Sequence, residues 1–216
     1  MKLIIGNKNY SSWSLRAWLL LAAFDLAFEE VLESLRQPGL TERLAQYAPT
    51  ARVPVLIDGE LTIWDSLAIC EYVSEKYLAG KGWPADEAQR AAARAVCAEM
   101  HSGFGGLRSE LPMNCRALRT VEMSAAAQQD IARIDAIWSQ CIRDYDGPFL
   151  FQAFSIADCF YAPVVQRFKT YGVSLSDAAS EYQSFMLNYA PLTRWVEAAK
   201  AETEVIVEDE AGVDRV

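Results

Sequence analysis

The sequence predicts an α/β plus all-α fold, with an α/β domain over residues 1–80 and an all-helical domain over residues 87–216. Two observations support this prediction. In the first segment, short β-branched runs alternate with helical patterns, which is typical of a sheet packed against helices. After the Gly- and Pro-containing stretch LAGKGWPADE, every apolar pattern has helical spacing.

The first domain is predicted to have the element order β-α-β-α-β-β-α. KLIIG is a strand, SWSLRAWLLLAAF is a helix with a serine cap, and FEEVLESL is a second strand. A short helix precedes QYAPTARVP, and VPVLIDGELTIWD contains two strands that turn at Asp58 and Gly59. SLAICEYVSEKYL has apolar residues at helical spacing and closes the domain.

The second domain is predicted to contain two long helices, over residues 88 to about 116 and 121 to about 145. Both segments are rich in Ala, Arg, Gln and Glu, which favour helices. A further helix is predicted over residues 155–168, and one or two shorter helices follow it. The acidic tail after Lys200 is expected either to extend over the surface or to fray.

Charge and cysteine content exclude several classes of protein. The 29 acidic and 20 basic side chains give a net charge of -9, which argues against a nucleic-acid partner. Five dispersed cysteines without a C-x-x-C motif predict neither a disulfide framework nor a metal site, and they indicate a reducing, cytoplasmic compartment. No export signal and no apolar run of about 20 residues is present, so no membrane association is expected.

Three serines lie at the junction of the first strand and the first helix, in the stretch NYSSWSL. They are Ser11, Ser12 and Ser14. Free backbone N–H groups and the helix dipole favour an anion at such a junction, so a serine there can donate a hydrogen bond to a thiolate or an oxyanion. The alternative is that one of these serines only caps the helix.

Two further motifs follow in the first domain. A cis Val53–Pro54 bond would turn the backbone of Val53 outward to pair with an extended peptide, whereas a trans proline would simply open an edge strand. Asp65 and Ser66 begin the next helix. They either cap that helix or bind an ammonium and a carboxylate group of a ligand.

The helical half offers one folding motif and one isolated histidine. Ser155 and Asp158 have the spacing of a capping box, which predicts a role in folding. His101 has no second ligand at metal-binding spacing, so it is interpreted as a polar lining residue and not as a catalytic one. Nearby Met100 and Phe104 belong to the core or to the apolar wall of a pocket.

In this order, the four motifs resemble the cytosolic glutathione S-transferase family. The resemblance covers nearly the whole chain to about Lys200, and it is closest to the serine-type zeta class, whose SSCS stretch is similar to SSWS here. Trp13 stands where that pattern has a cysteine. The resemblance implies a bacterial protein with a thioredoxin-like first domain that binds glutathione, and a helical domain that supplies most of the electrophile site.

The resemblance also implies residue roles. Ser11 matches the serine that stabilises the thiolate, and Ser12 is its neighbour; the residues leave open which of them contacts sulfur. Met100, Phe104, Arg108 and Trp13 are expected to line the electrophile pocket. Five residues are expected to hold glutathione. Arg52 would bind its glycine carboxylate, Val53 and Pro54 would lie along its backbone, and Asp65 and Ser66 would bind its γ-glutamyl end.

The expected function is that of a glutathione transferase in detoxification, acting on a small hydrophobic electrophile without a metal. The family resemblance implies a cytoplasmic homodimer. Two alternatives remain: another glutathione-dependent enzyme on this scaffold, such as an isomerase of the maleylacetoacetate type or a peroxidase, and a non-catalytic regulatory protein. The electrophile itself cannot be identified from apolar residues, because apolar walls discriminate weakly.

Overall fold

A computed structural model describes residues 1–215, and its first domain confirms the predicted order of elements. The hairpin at Asp58 and Gly59 is formed as expected, with antiparallel strands on both sides of the turn. The bounds are β1 Lys2–Gly6, α1 Ser12–Ala23, β2 Glu29–Glu33, α2 Leu40–Ala45, β3 Val55–Asp58, β4 Leu61–Ile63 and α3 Ser66–Leu78.

The strands form one mixed sheet in the order β2-β1-β3-β4. β1 runs parallel to β2 and antiparallel to β3. Leu3, Ile4 and Ile5 of β1 are all fully buried, because α1 and α3 cover one face of the sheet and α2 covers the other. This explains why β1 is a continuous apolar run and does not alternate. Because α1 follows β1, the helix begins beyond the end of one of the two central strands of the sheet.

The second domain is helical, with α7 at its centre. Its helices are α4 Glu87–Ser102, α5 Gly105–Glu110, α6 Ala125–Tyr145, α7 Ile156–Tyr171, α8 Asp177–Leu187 and α9 Ala190–Ala201. The predicted capping box is present at the start of α7. The Ser155 side chain accepts from the backbone N–H of Asp158, and the Asp158 side chain accepts from the backbone N–H of Ser155. Almost every residue of α7 is buried, and the helix packs against α1 and α4.

The prediction of one continuous helix from residue 88 to about 116 is wrong. α4 ends at Ser102, Phe104 adopts a left-handed conformation with φ of 60°, and α5 is only six residues long. Glycines in the GFGG stretch weaken a helix at this point, and Pro112 cannot continue one. The next long helix begins at Ala125 and not at 121, because Ser124 caps it.

The acidic tail extends over the surface and does not fray, at least as far as residue 215. Arg116 donates to the backbone carbonyls of Glu202 at 2.9 Å and Glu204 at 3.0 Å. A short 3-10 turn, Val207–Asp209, follows, and the strand β6 Val213–Asp214 then pairs with β5 Arg119–Thr120. We call residues 202–215 the tail strap.

The cysteines Cys70, Cys97, Cys115, Cys141 and Cys159 are all free and buried. Burial raises the pKa of the Cys115 and Cys141 thiols to about 12, so both are protonated and unreactive at neutral pH. Among residues 1–215, no three His, Cys, Asp or Glu side chains converge as metal ligands. None of the helices described is long and apolar enough to span a bilayer.

Candidate functional site

Two cavities adjoin the start of α1, between the sheet and the helical domain. One has a volume of about 370 Å³ and is lined by Ser11 and Ser12. The other has a volume of about 430 Å³ and is lined by Asp65 and Ser66. We call them the serine cavity and the Asp65 cavity. Trp13, Arg52 and Val53 line both, so the two are halves of one cleft. A larger cavity of about 890 Å³ at the interdomain linker contains none of the predicted site residues.

Ser11 caps α1, as the alternative interpretation of the serines proposed. Its hydroxyl oxygen accepts from the backbone N–H of Ser14 at 3.4 Å, and its hydroxyl donates to the Ser14 Oγ at 2.7 Å. The Ser14 Oγ also accepts from the Gly6 N–H at 3.1 Å, which ties the helix start to the end of β1. The proton of Ser11 is therefore already used inside the protein.

Ser12 is placed differently, although it is as buried as Ser11 at 6% exposure. Its Oγ accepts a hydrogen bond from the Arg167 guanidinium at 3.2 Å. Its own hydroxyl proton has no acceptor within the described chain, and the side chain lines the serine cavity. A cationic donor on a hydroxyl oxygen strengthens the hydroxyl as a donor, because hydrogen bonds in a chain polarise each other. Ser12 is thus prepared to donate to an anion in the cavity.

Three arginines surround this point, and we call Arg16, Arg108 and Arg167 the arginine cluster. The guanidinium carbons of Arg16 and Arg108 lie 4.3 Å and 5.2 Å from the ring centre of Trp13. Burial, followed by repulsion from Arg108, lowers the pKa of Arg16 to about 9 and that of Arg167 to about 10. Both values are above 7, so the cluster is cationic at neutral pH. Arg108 and Arg167 line the serine cavity directly.

Sequence reasoning missed Arg16 and Arg167. Arg16 is the only charged residue of the largely buried helix α1, and Arg167 lies in the apolar part of α7, YAPVVQRF. Arginine is almost never fully buried unless it has a partner, so a lone arginine in such a run was the only available signal. No sequence spacing links positions 16, 108 and 167.

The Asp65 cavity contains the start of α3. Asp65 caps this helix, and its Oδ1 accepts from the Leu67 N–H at 2.9 Å. Ser66 is fully buried, and its Oγ has no partner within the described residues, although the residue forms part of the cavity wall. The Val53–Pro54 peptide bond is cis. A buried hydroxyl without a partner beside a cavity fits a bound polar group.

His101 reaches Asp65 from the helical domain. Its Nε2 lies 3.0 Å from the Asp65 Oδ2, and its ring meets the Trp13 ring edge-on at 5.2 Å. Burial lowers the pKa of His101, and the charges of Arg16 and Arg108 lower it further, whereas the Asp65 carboxylate raises it. His101 therefore joins the two domains across the Asp65 cavity.

Replacing Asp65 with Asn should lower the pKa of His101 further, because it removes the one charge that stabilises the imidazolium. His101 is the only histidine of the chain, so NMR of its ring protons follows a single group on protein without a histidine tag. Asp58→Asn is the control, since the Asp58 carboxylate bonds Tyr72 and Lys76 instead. A pKa that rises or stays constant in Asp65→Asn would contradict the ion pair.

The predicted electrophile residues divide into two groups. Trp13 and Arg108 line the serine cavity. Met100 and Phe104 are 1% and 7% exposed and lie behind it, where the Met100 carbonyl accepts a hydrogen bond from Arg108. The predicted site residues that line the cleft are Ser11, Ser12, Trp13, Arg52, Val53, Pro54, Asp65, Ser66 and Arg108.

A mixed four-stranded sheet followed by a helical domain, with a cleft at the start of the first helix, defines a two-domain protein with a thioredoxin-like first domain. Family models identify it more closely. The model of the glutathione S-transferase N-terminal domain matches residues 10–76, and that of the C-terminal domain matches residues 87–198. The chain belongs to the glutathione S-transferase family.

Individual proteins are similar to part of the chain in sequence or to nearly all of it in fold. A dichloromethane dehalogenase of Methylorubrum extorquens is 42% identical over 62 residues, which cover 27% of this chain and only 21% of that protein. A glutathione transferase homologue from Burkholderia GL BGR1, solved with bound glutathione, has a TM-score of 0.73 and 24% identity, covering 93% of this chain and 98% of its own. A zeta-class bacterial maleyl pyruvate isomerase has a TM-score of 0.73 and 20% identity, covering 94% and 100%.

Proposed function

We propose that this protein is a cytoplasmic glutathione transferase that activates the thiol of glutathione for attack on a small electrophile, in detoxification. The observation that carries the proposal is the free hydroxyl of Ser12, which is polarised by Arg167 and faces a cavity at the start of α1. The glutathione bound in the Burkholderia homologue supports the choice of thiol. The chemistry is nucleophilic: a carbon–sulfur bond forms, and the leaving group departs with its electron pair.

Glutathione is proposed to lie along the cleft with its γ-glutamyl end in the Asp65 cavity. Asp65 accepts from the ammonium group, while the unpartnered Ser66 hydroxyl and the start of α3 bind the carboxylate. The backbone of Val53, which lines both cavities, pairs with the cysteinyl residue. Arg52 is exposed at the mouth of both cavities and takes the glycine carboxylate.

The available interactions match the free energy that activation requires. A thiol with a pKa near 8.5 needs about 2.7 kcal/mol of preferential thiolate stabilisation for its pKa to fall by about two units. A hydrogen bond from Ser12 to an anion contributes about 1.5 to 3 kcal/mol, and a helix terminus contributes about 0.3 to 1. The positive charge of Arg167 acts in the same direction.

An isomerase is the second candidate, and the arginine cluster is the observation that favours it. A cationic cavity suits an acidic substrate, and the zeta-class neighbour is a maleyl pyruvate isomerase. An isomerase would convert a maleyl double bond without consuming glutathione, whereas a transferase consumes one glutathione per turnover. A regulatory protein would do neither, and it would leave the thiol pKa near that of free glutathione.

Titration with glutathione at several pH values tests the proposal. Ultraviolet absorbance of the thiolate should show saturable binding and a thiol pKa about two units below the free value. Absence of binding would reject the proposal and favour a regulatory role. Binding without a lowered pKa would reject the activation step alone.

A homodimer is part of the proposal. Leu61, Trp64 and Tyr77 are large apolar side chains that are 53%, 40% and 38% exposed, and all three lie on the β4 and α3 side of the first domain. Such residues are enriched in the cores of interfaces. Sedimentation should therefore give twice the chain mass of 24.1 kDa.

A further inference from the structure

The arginine cluster holds more positive charge than a neutral electrophile needs. Arg16 is 1% exposed, and its Nε and Nη1 atoms are buried without a hydrogen-bond partner in the described chain. Within residues 1–215, none of the three guanidinium groups forms an ion pair within 4.0 Å. Buried charges without a counter-charge are strongly unfavourable. The cluster therefore requires an anion.

Two carboxylates of the described chain attract the cluster. Asp130 of α6 attracts Arg108, but its carboxylate also accepts from the Leu107 N–H at 2.9 Å and so holds α5 in place. Asp209 attracts Arg167 and lines the serine cavity. The thiols and the phenol near the cluster are neutral at pH 7, because burial raises the pKa of Cys70, Cys97, Cys115 and Tyr171.

Among residues 1–215, Asp209 is the one carboxylate that lines the serine cavity. It belongs to the 3-10 turn of the tail strap, and its side chain makes no hydrogen bond within the described chain. Burial raises the pKa of Asp209, and the charge of Arg167 lowers it. Contacts that do not involve Asp209 hold the tail strap in place. Arg116 donates to its backbone carbonyls, and Arg119 forms an ion pair with Glu210. The Asp209 side chain can therefore turn away from Arg167 without breaking the contacts that hold the tail strap in place.

We propose that the electrophile of this protein carries a carboxylate, and that this carboxylate replaces Asp209 as the anion of the arginine cluster. The inference rests on the proposed function and names its substrate class. A planar carboxylate suits guanidinium donors, which bind it through two parallel hydrogen bonds. Trp13, which lines both cavities, would contact the carbon skeleton. The cleft is thus specific for an acidic electrophile and not for a purely hydrophobic one.

The test compares two unreactive probes that differ by one charge, 3,5-dinitrobenzoate and its methyl ester. Calorimetry on the glutathione-saturated protein should show the acid binding about ten-fold more tightly than the ester, the size of one charge-assisted interaction. Asp209→Asn removes the internal competitor, so it should tighten the acid by about three- to ten-fold and leave the ester unchanged. Glu208→Gln removes the neighbouring exposed carboxylate and should change neither affinity by more than about two-fold.

Arg108→Gln should weaken the acid by about ten-fold and spare the ester. Equal affinities of acid and ester, or equal effects of Asp209→Asn and Glu208→Gln, would overturn the inference. Expulsion of glutathione by the acid would also overturn it, because the cluster would then serve a carboxylate of glutathione. If glutathione itself fails to bind, the proposed function fails, and the same comparison on the free protein still decides whether the cluster prefers the acid.

Discussion

Ser12→Ala is expected to raise the thiol pKa of bound glutathione by about one to two units, which corresponds to the loss of about 1.5 to 3 kcal/mol of thiolate stabilisation. At pH 6.5 the rate of conjugation should fall by about 5- to 50-fold, because about half of the thiol is ionised in the wild type and the thiolate fraction falls as the pKa rises. Glutathione affinity should change little, since the γ-glutamyl contacts lie in the other cavity. Thiolate absorbance and initial rates measured against pH give both quantities.

Ser11→Ala is the matched comparison, because the two serines are adjacent and equally buried. Its hydroxyl is bonded to Ser14 and caps α1, so its loss should cost about 0.5 to 2 kcal/mol of stability. The thiol pKa should shift by less than about half a unit. The two variants therefore separate stability from activation.

Ser12→Thr completes the comparison, since it keeps the hydroxyl and the acceptor for Arg167. Ser12→Thr should restore most of the thiolate that Ser12→Ala loses. If Ser12 only positioned Arg167, the thiol pKa would be the same in Ser12→Ala, in Ser12→Thr and in the wild type. The opposite result, a raised pKa in Ser11→Ala and none in Ser12→Ala, would assign the thiolate to Ser11. Ser12 would then serve only as an acceptor for the guanidinium.

The order of elements in the first domain was predictable because its signals are local. β1 is a β-branched run, Asp58 and Gly59 form a turn, and Asp65 begins a helix that it caps. The break after Ser102 was not predictable in the same way. The residues of α4 are strong helix formers, and the left-handed conformation of Phe104 is held by burial of its ring among residues distant in sequence. The glycines beside Phe104 weaken the helix at this point, and packing of the Phe104 ring decides where it ends.

The candidate site was predictable only where a motif lies in one stretch of sequence. Ser12 and Asp65 each follow a strand, so their positions at a common edge could be expected. The arginine cluster comes from α1, α5 and α7, and the chain brings these helices together only through tertiary packing. A buried arginine is normally matched by an acid of the same protein. For the arginine cluster, the substrate is proposed to supply the counter-charge.

Asp158→Ala is expected to lower the free energy of unfolding by about 3 to 5 kcal/mol. The buried carboxylate accepts from the N–H groups of Ser155 at 2.9 Å and Leu150 at 3.0 Å, and from the Tyr182 hydroxyl at 3.2 Å. The Ser155 hydroxyl also donates to the Asp158 carboxylate at 3.3 Å, so alanine leaves four buried donors without this acceptor. Asp177→Ala, in the first turn of α8, is the control and should cost less than about 1 kcal/mol. Denaturant unfolding at a fixed protein concentration measures both values.

Asp158→Asn adds a test of the charge. Burial raises the pKa of Asp158 to about 6, above its ordinary value of 3.8, so the folded state favours the protonated acid. The stability from this group is fully present below about pH 4 and is lost as the pH rises through 6, by about 3 kcal/mol in all. Asn keeps an acceptor and cannot ionise, so its destabilisation relative to the wild type should be largest at pH 4 and should shrink or reverse at pH 7. A constant difference between those pH values would show that Asp158 is ionised throughout, because its four donors outweigh the cost of burial.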